Sequence, residues 1–260
     1  MQLQVENLIG GYGKKEILHN ISFNINEGDV LCILGPNGCG KSTLLKLLLR
    51  IITKMTGNVF IHGKNTDKID RKTLAQIFSY MPQSDRMLFP YTILEMVTMG
   101  RTCHIGKWNT PSKDDINIAY EALEKLKIAH MANKLYTNIS GGERQLVLIA
   151  RAICQDASIL IMDEPTSSLD FANKLLVMDA ISTAVKEGRS VILTTHSPSE
   201  PFSIASKVLL LSNGRKVGFG KPLEVLTSKA LERVYGIPMD IMTVTDRFND
   251  EMNICMPIHK

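Results

Sequence analysis

Val30-Leu31-Cys32-Ile33-Leu34-Gly35-Pro36-Asn37-Gly38-Cys39-Gly40-Lys41-Ser42-Thr43 decides the fold. Five apolar residues read as a buried strand, a glycine-rich turn follows, and Lys41–Arg50 is apolar nearly all round, as a buried helix is. Gly35 to Ser42 fits G-x-x-x-x-G-K-[ST], and its flanks are the strand and helix that this pattern needs. Glycines let backbone N–H groups turn inward around an anion, and the helix beginning near Lys41 presents its positive end to the same place. Lys41 brings a point charge to terminal phosphates, and Ser42 a hydroxyl suited to Mg²⁺. Gly35, Pro36, Asn37, Gly38, Cys39, Gly40, Lys41, Ser42 and Thr43 are therefore the candidate phosphate-binding residues. The oriented N–H groups of such a loop favour a thiolate at Cys39. The loop alone leaves kinases, GTPases and motor ATPases open.

Downstream, the apolar run Ile159–Met162 leads into Asp163-Glu164. An acid at the end of a strand can hold Mg²⁺, which falls to Asp163. A second carboxylate beside it, Glu164, can polarise an attacking water as general base. His196 ends the next apolar strand. If the two strands are parallel, it lies at the same ligand-facing edge.

The rest of the chain supplies the scaffold. Leu3–Leu8 and Ile17–Ile25 alternate as strands, with further strands at Val59–Ile61, Ile77–Tyr80, Ser158–Met162 and Ser190–Thr195. Helical spacing marks Thr92–Met99, Asp114–Leu126, Glu143–Cys154 and a segment around Leu175, Met178, Ile181 and Val185. Lys207–Leu211 and Arg215–Phe219 read as a hairpin about Asn213-Gly214. Pro238–Lys260 is weakly patterned and is assigned no element. Strand–helix alternation at both ends with helices between them predicts an α/β core interrupted by helices.

Composition narrows the class. The 260 residues are 44% hydrophobic and 22% charged, enough for a large core without disulfides. A net charge of +4 with no Lys/Arg stripe argues against nucleic acid. The five cysteines, odd in number and without C-x-x-C, read as reduced thiols. The N-terminal segment lacks the pattern of a signal peptide, and no apolar run is long enough to span a bilayer. Any pore that this chain serves must be formed by another chain.

Ile139-Ser140-Gly141-Gly142-Glu143-Arg144-Gln145 makes the reading specific. It resembles the L-S-G-G-[EQ]-[RKQ]-Q signature of ABC ATPases, with Ile139 for the usual Leu. Ser140 and two glycines at a helix start form a second anion-binding end. The resemblance implies a P-loop NTPase of RecA-like α/β class, with an N-terminal antiparallel β part and an inserted α-helical subdomain. The expected limits are 1–84 and 156–238 for the core and β part, 85–155 for the helical subdomain, and 239–260 for a C-terminal extension of unknown role. It also implies ATP and Mg²⁺ as ligands, and a head-to-tail homodimer in which each ATP lies between one P-loop and the partner's signature. By that resemblance Ser140, Gly141, Gly142 and Gln145 meet the partner's ATP. Ser168, Leu169 and Asp170 form the D-loop at the dimer interface, Tyr12 stacks on adenine, and Gln83 touches Mg²⁺ and water. His196 contacts the γ-phosphate, and Lys41, Gln83, Glu164 and His196 form the catalytic set, with Ser42, Gln83 and Asp163 around the metal.

Tyr91–Arg101 is similar to the corresponding segment in subunits of iron–siderophore, haem, cobalamin and some molybdate or tungstate importers. This implies two copies of a polytopic permease, an external substrate-binding protein, a place on the cytoplasmic face of the membrane, and a coupling-helix groove around Asp85–Arg101. A soluble ABC ATPase of translation or DNA repair usually has two such domains or a very long insertion, and neither is present. Glu164 and His196 speak against a nucleotide binder that does not hydrolyse, and Tyr91–Arg101 against an exporter.

Overall fold

The computed structural model describes residues 1–83, 89–106, 108–245, 247, 249 and 251–258. Internal packing divides the chain into two units, Met1–Lys68 with Ile192–Lys260, and Ile69–Val191. The first unit begins with β1 (Leu3–Tyr12), β2 (Lys15–Ile25), β3 (Val30–Leu34), α1 (Lys41–Leu48), β4 (Lys54–Ile61) and β5 (Lys64–Asn65). The second holds α2 (Arg71–Ile77), β6 (Phe78–Met81), α3 (Ile93–Thr98), α4 (Lys113–Lys125), α5 (Gly141–Cys154), β7 (Ile159–Met162) and α6 (Phe171–Lys186). β8 (Ser190–Thr195) returns the chain to the first unit. That unit ends with α7 (Glu200–Ile204), β9 (Lys207–Ser212), β10 (Arg215–Gly220), α8 (Pro222–Val225), α9 (Ser228–Tyr235), β11 (Met239–Thr245) and β12 (Glu251–Pro257).

In the first unit, an antiparallel sheet of order β2-β1-β4-β5 covers one side of its core. Leu3 and Val5 are buried, and after a shift in register Leu8 is buried too. Asn7, at φ 47, sits in that irregularity, so the alternation slips by one residue while the apolar face stays inward. β10-β9-β3-β8 form the other sheet of this unit, with β3 parallel to β9. All five residues of β3 are buried, as a strand covered on both faces requires. The hairpin of β9 and β10 turns at Asn213 (φ 47) and Gly214 (φ 72), the two left-handed residues that match strand twist.

In the second unit, β6 runs parallel to β7, and α3, α4 and α5 pack on one another. Each of these three helices starts with a reciprocal capping box: Thr92 with Glu95, Ser112 with Asp115, and Ser140 with Glu143. Arg101 is buried among them. Its Nε donates to Asp115 Oδ1 at 3.1 Å and its guanidinium to the Cys154 carbonyl at 3.0 Å. A cation taken from water is stable there because both bonds are charge-assisted.

The expected α/β class, with an antiparallel N-terminal part and a helical insertion, is the class observed. α2, α9 and the hairpin of β11 and β12 were not foreseen. Among the described residues no helix is long and apolar enough to cross a membrane.

Candidate nucleotide site

The phosphate cradle lies in the first unit. Gly40 precedes α1 with φ 106, a conformation that disfavours any side chain, and a Cβ there would meet Leu18 Cδ2 at 2.6 Å. The N-cap position is this glycine, so the first turn of α1 has no Ser, Thr, Asp or Asn cap, and the Lys41 N–H lies against the Cys39 sulfur. Lys41 is buried and folded over that loop, donating to the Gly35 carbonyl at 2.8 Å and the Pro36 carbonyl at 3.3 Å. Asn37 and Gly38 are exposed, Pro36 and Ser42 half-buried, and Thr43 buried. A cation beside a glycine-rich helix start fits a polyphosphate.

Tyr12 is 48% exposed, with Lys46 Nζ 5.8 Å from its ring centroid. An open aromatic face beside α1 is free to stack on a base. His196 is exposed just after β8. One expectation is overturned. Burial raises the Cys39 thiol above its ordinary pKa, against the opposing pull of Lys41 and the loop N–H groups. Cys39 is 3% exposed, so desolvation prevails and the residue is a buried neutral thiol.

The acid pair lies in the second unit. Asp163 follows β7, is 3% exposed, and donates its backbone N–H to the Met81 carbonyl at 2.9 Å. Glu164 takes φ 51, uncommon for a residue with a side chain. Gln83 Nε2 donates to Glu164 Oε2 at 3.1 Å, bringing together two residues 81 positions apart. Beneath them Gln145 is buried, and its Nε2 donates to the Glu164 carbonyl at 3.1 Å. Ser167 Oγ donates to the same oxygen at 3.1 Å. The unusual backbone of Glu164 is thus fixed by two side chains.

The signature begins α5. Ser140 Oγ accepts from the Glu143 N–H at 3.2 Å, and Glu143 Oε2 accepts from the Ser140 N–H at 2.7 Å. These bonds hold the Glu143 carboxyl below its ordinary pKa. Gly141 is exposed, while Gly142 faces the Ser168 carbonyl and Leu169. Leu169 is buried, and Asp170 Oδ1 caps α6 by accepting from the Asn173 N–H at 2.8 Å. Gln145 was expected to face the partner's nucleotide. The structure turns it inward onto Glu164, a role that its apolar neighbours Leu146 and Ile149 could have signalled. The capping box was legible as S-x-x-E.

Known proteins resemble the chain over most of its length. The family described as ABC transporter matches residues 18–167. The molybdate import ATP-binding protein of Haemophilus influenzae is 39% identical over 240 residues, covering 91% of this chain and 89% of that protein. The iron(3+)-hydroxamate import ATP-binding protein of Bacillus subtilis is 33% identical over 242 residues, covering 93% and 90%. A solved ABC transporter assigned to the metal-chelate type, in an inward-facing conformation, superposes with a TM-score of 0.88 at 35% identity, covering 100% of this chain and 98% of that one.

Proposed function

The chain belongs to the ABC transporter ATP-binding family, and from that premise we propose that it hydrolyses Mg·ATP to drive import of a metal chelate or an oxyanion through a separate permease. The observation that carries the catalytic part is the bond from Gln83 to Glu164, beside buried Asp163. A carboxylate fixed through its backbone by Gln145 and Ser167, and through its side chain by Gln83, is built to orient one water. Glu164 accepts a proton from that water as the water oxygen bonds to the γ-phosphorus. The bond from that phosphorus to the bridging oxygen breaks, and ADP and phosphate leave. Lys41 neutralises developing charge, and His196 holds the attacked phosphate.

Ser42, Gln83 and Asp163 offer hard oxygens, which suit Mg²⁺ and would hold it, and the ion would supply positive charge to offset that of the phosphates. Tyr12 stacks on adenine. Two copies pack head to tail so that Ser140 and Gly141 of the partner subunit close each site, with Ser168, Leu169 and Asp170 at the seam. We place the ATPase core and β part at 1–84 and 156–238, the helical subdomain at 85–155, and the complex on the cytoplasmic face of the membrane.

A cavity of about 620 Å³ supports the import reading. It is lined by Tyr91, Glu95, Thr98, Met99, Asn109 and Pro111 among others. An apolar groove with a few polar groups suits a short permease helix. Residues 85–88 of the groove expected from sequence lie outside the described residues.

Glu164→Gln tests the catalytic core. The variant should bind ATP as the parent does while turnover falls at least about a hundredfold, the usual size of a general-base effect. Parental turnover would remove Glu164 as the base.

A further inference from the structure

The turn that carries His196 is held from behind by the C-terminal part of the chain. Tyr235, the last residue of α9, donates its hydroxyl to the His196 carbonyl at 3.4 Å. Ser197 donates its N–H to Thr195 Oγ1 at 3.0 Å, and Thr195 Oγ1 in turn bonds the Glu200 carboxylate. Cys255 of β12 donates its thiol to the Pro198 carbonyl at 3.6 Å and its N–H to Ser199 Oγ at 3.0 Å. Each residue from 196 to 199 therefore has a group tied down, and three of the four are tied to Tyr235 or Cys255.

The tether is itself supported. β11 packs on α9 and β12 on α7. The Ile258 N–H donates to the Pro238 carbonyl at 2.9 Å and closes the base of the hairpin. A two-stranded hairpin is marginal by itself, so these contacts give it its shape. Burial raises the Tyr235 hydroxyl and pushes the Cys255 thiol up to about 11, so both remain protonated donors near neutrality. The His196 residue itself stays exposed at the end of the held turn.

We propose that Tyr235 and the hairpin of β11 and β12 form a brace that positions His196 for ATP hydrolysis. The proposal rests on the reading of His196 as a γ-phosphate contact. Tyr235 and Cys255 are positioning residues and touch no substrate. A brace that holds one turn acts on the reacting geometry more than on nucleotide affinity, because most of the phosphate contacts are made by the separate glycine loop.

The test uses the full chain as Tyr235→Phe and, independently, Ser199→Ala. Steady-state ATPase kinetics are read together with the His196 ring resonance of ¹⁵N-histidine-labelled protein, identified by its loss in His196→Ala. Each substitution should lower kcat roughly three- to tenfold, the weight of one or two hydrogen bonds, with KM for ATP unchanged. Each should also shift or broaden the His196 ring signal. Parental kcat in both variants overturns the brace, and so does a fall in kcat while the ring signal stays unmoved. Parental kcat in His196→Ala is a different failure: it removes His196 from catalysis and leaves the brace nothing to position.

Discussion

Two helices begin at glycine-rich motifs in this chain, and they are finished differently. α1 has a glycine, Gly40, at its N-cap, no acid in its first turn, and Lys41 folded over the loop before it. α5 is capped by Ser140, and Glu143 in its first turn already holds the Ser140 N–H. The macrodipole of α1 thus has no carboxylate of its own in the first turn, whereas that of α5 is partly offset by Glu143. A phosphate reaching α1 meets a cation and no competing carboxylate in the first turn. A phosphate reaching α5 must compete with an internal acceptor. This difference predicts tighter primary binding at α1 and a weaker contact at α5, formed once nucleotide is already held elsewhere.

Lys41→Ala should produce the largest change. Removing a buried cation from the cradle should weaken ATP binding to the isolated chain roughly ten- to hundredfold, the range for a charged hydrogen-bond donor. Ser140→Ala should leave that affinity within roughly twofold and act on turnover instead, since Ser140 is assigned to the opposing copy's nucleotide. Calorimetric titration of both variants decides it. An equal loss of affinity in the two would break the comparison, because it would make α5 a primary site within one chain.

Much of this contrast was legible in the sequence. G-x-x-x-x-G-K-[ST] and I-S-G-G-E-R-Q mark both helix starts, and period and composition mark the strands that lead to the cradle and to the acid pair. Three things were not legible. The motif gives Gln145 a place but no direction. Its burial follows from the apolar residues of α5, whose packing turns the amide toward Glu164. Motif logic also favoured a Cys39 thiolate. Loop N–H groups and Lys41 do pull that way, but burial is a tertiary property and it dominates. The final hairpin has Met239, Ile241 and Val244 on one strand and Ile254 on the other, too weak an alternation to specify strands. Its register is fixed only by pairing, Met242 opposite Ile254 and Ile241 opposite Cys255.

A smaller effect concerns stability alone. Ser140→Ala removes the acceptor for the Glu143 N–H and should cost about 1 kcal/mol in urea unfolding, as loss of an N-cap usually does. At α1 the N-cap is Gly40, so Ser42→Ala, inside the first turn, removes no cap and should stay within about 0.5 kcal/mol. A loss at Ser42 as large as that at Ser140 would mean that the start of α1 depends on the Ser42 hydroxyl as that of α5 does on Ser140.

The smallest effect is one of pH, and it belongs to the start of α5 alone. The Glu143 carboxyl lies below its ordinary pKa because it accepts from the Ser140 backbone N–H and hydroxyl. A group depressed on folding binds its proton more readily in the unfolded chain. Its contribution is therefore present above the unfolded pKa and is lost as pH falls through the folded one. Protonation of Glu143 gives up the charge that offsets the α5 dipole, while α1 has no such group in its first turn to titrate. Glu143→Gln keeps an acceptor but removes the charge. It should lower stability by less than about 1 kcal/mol near neutrality, because the carboxylate is solvent-screened. That deficit should shrink toward zero as the pH drops below the range in which the parent's carboxylate is ionised. Urea unfolding of parent and variant at a series of pH values measures the gap. A gap that stays constant into acid would show that the box works through hydrogen-bond geometry alone, and the electrostatic half of the contrast between α1 and α5 would fall.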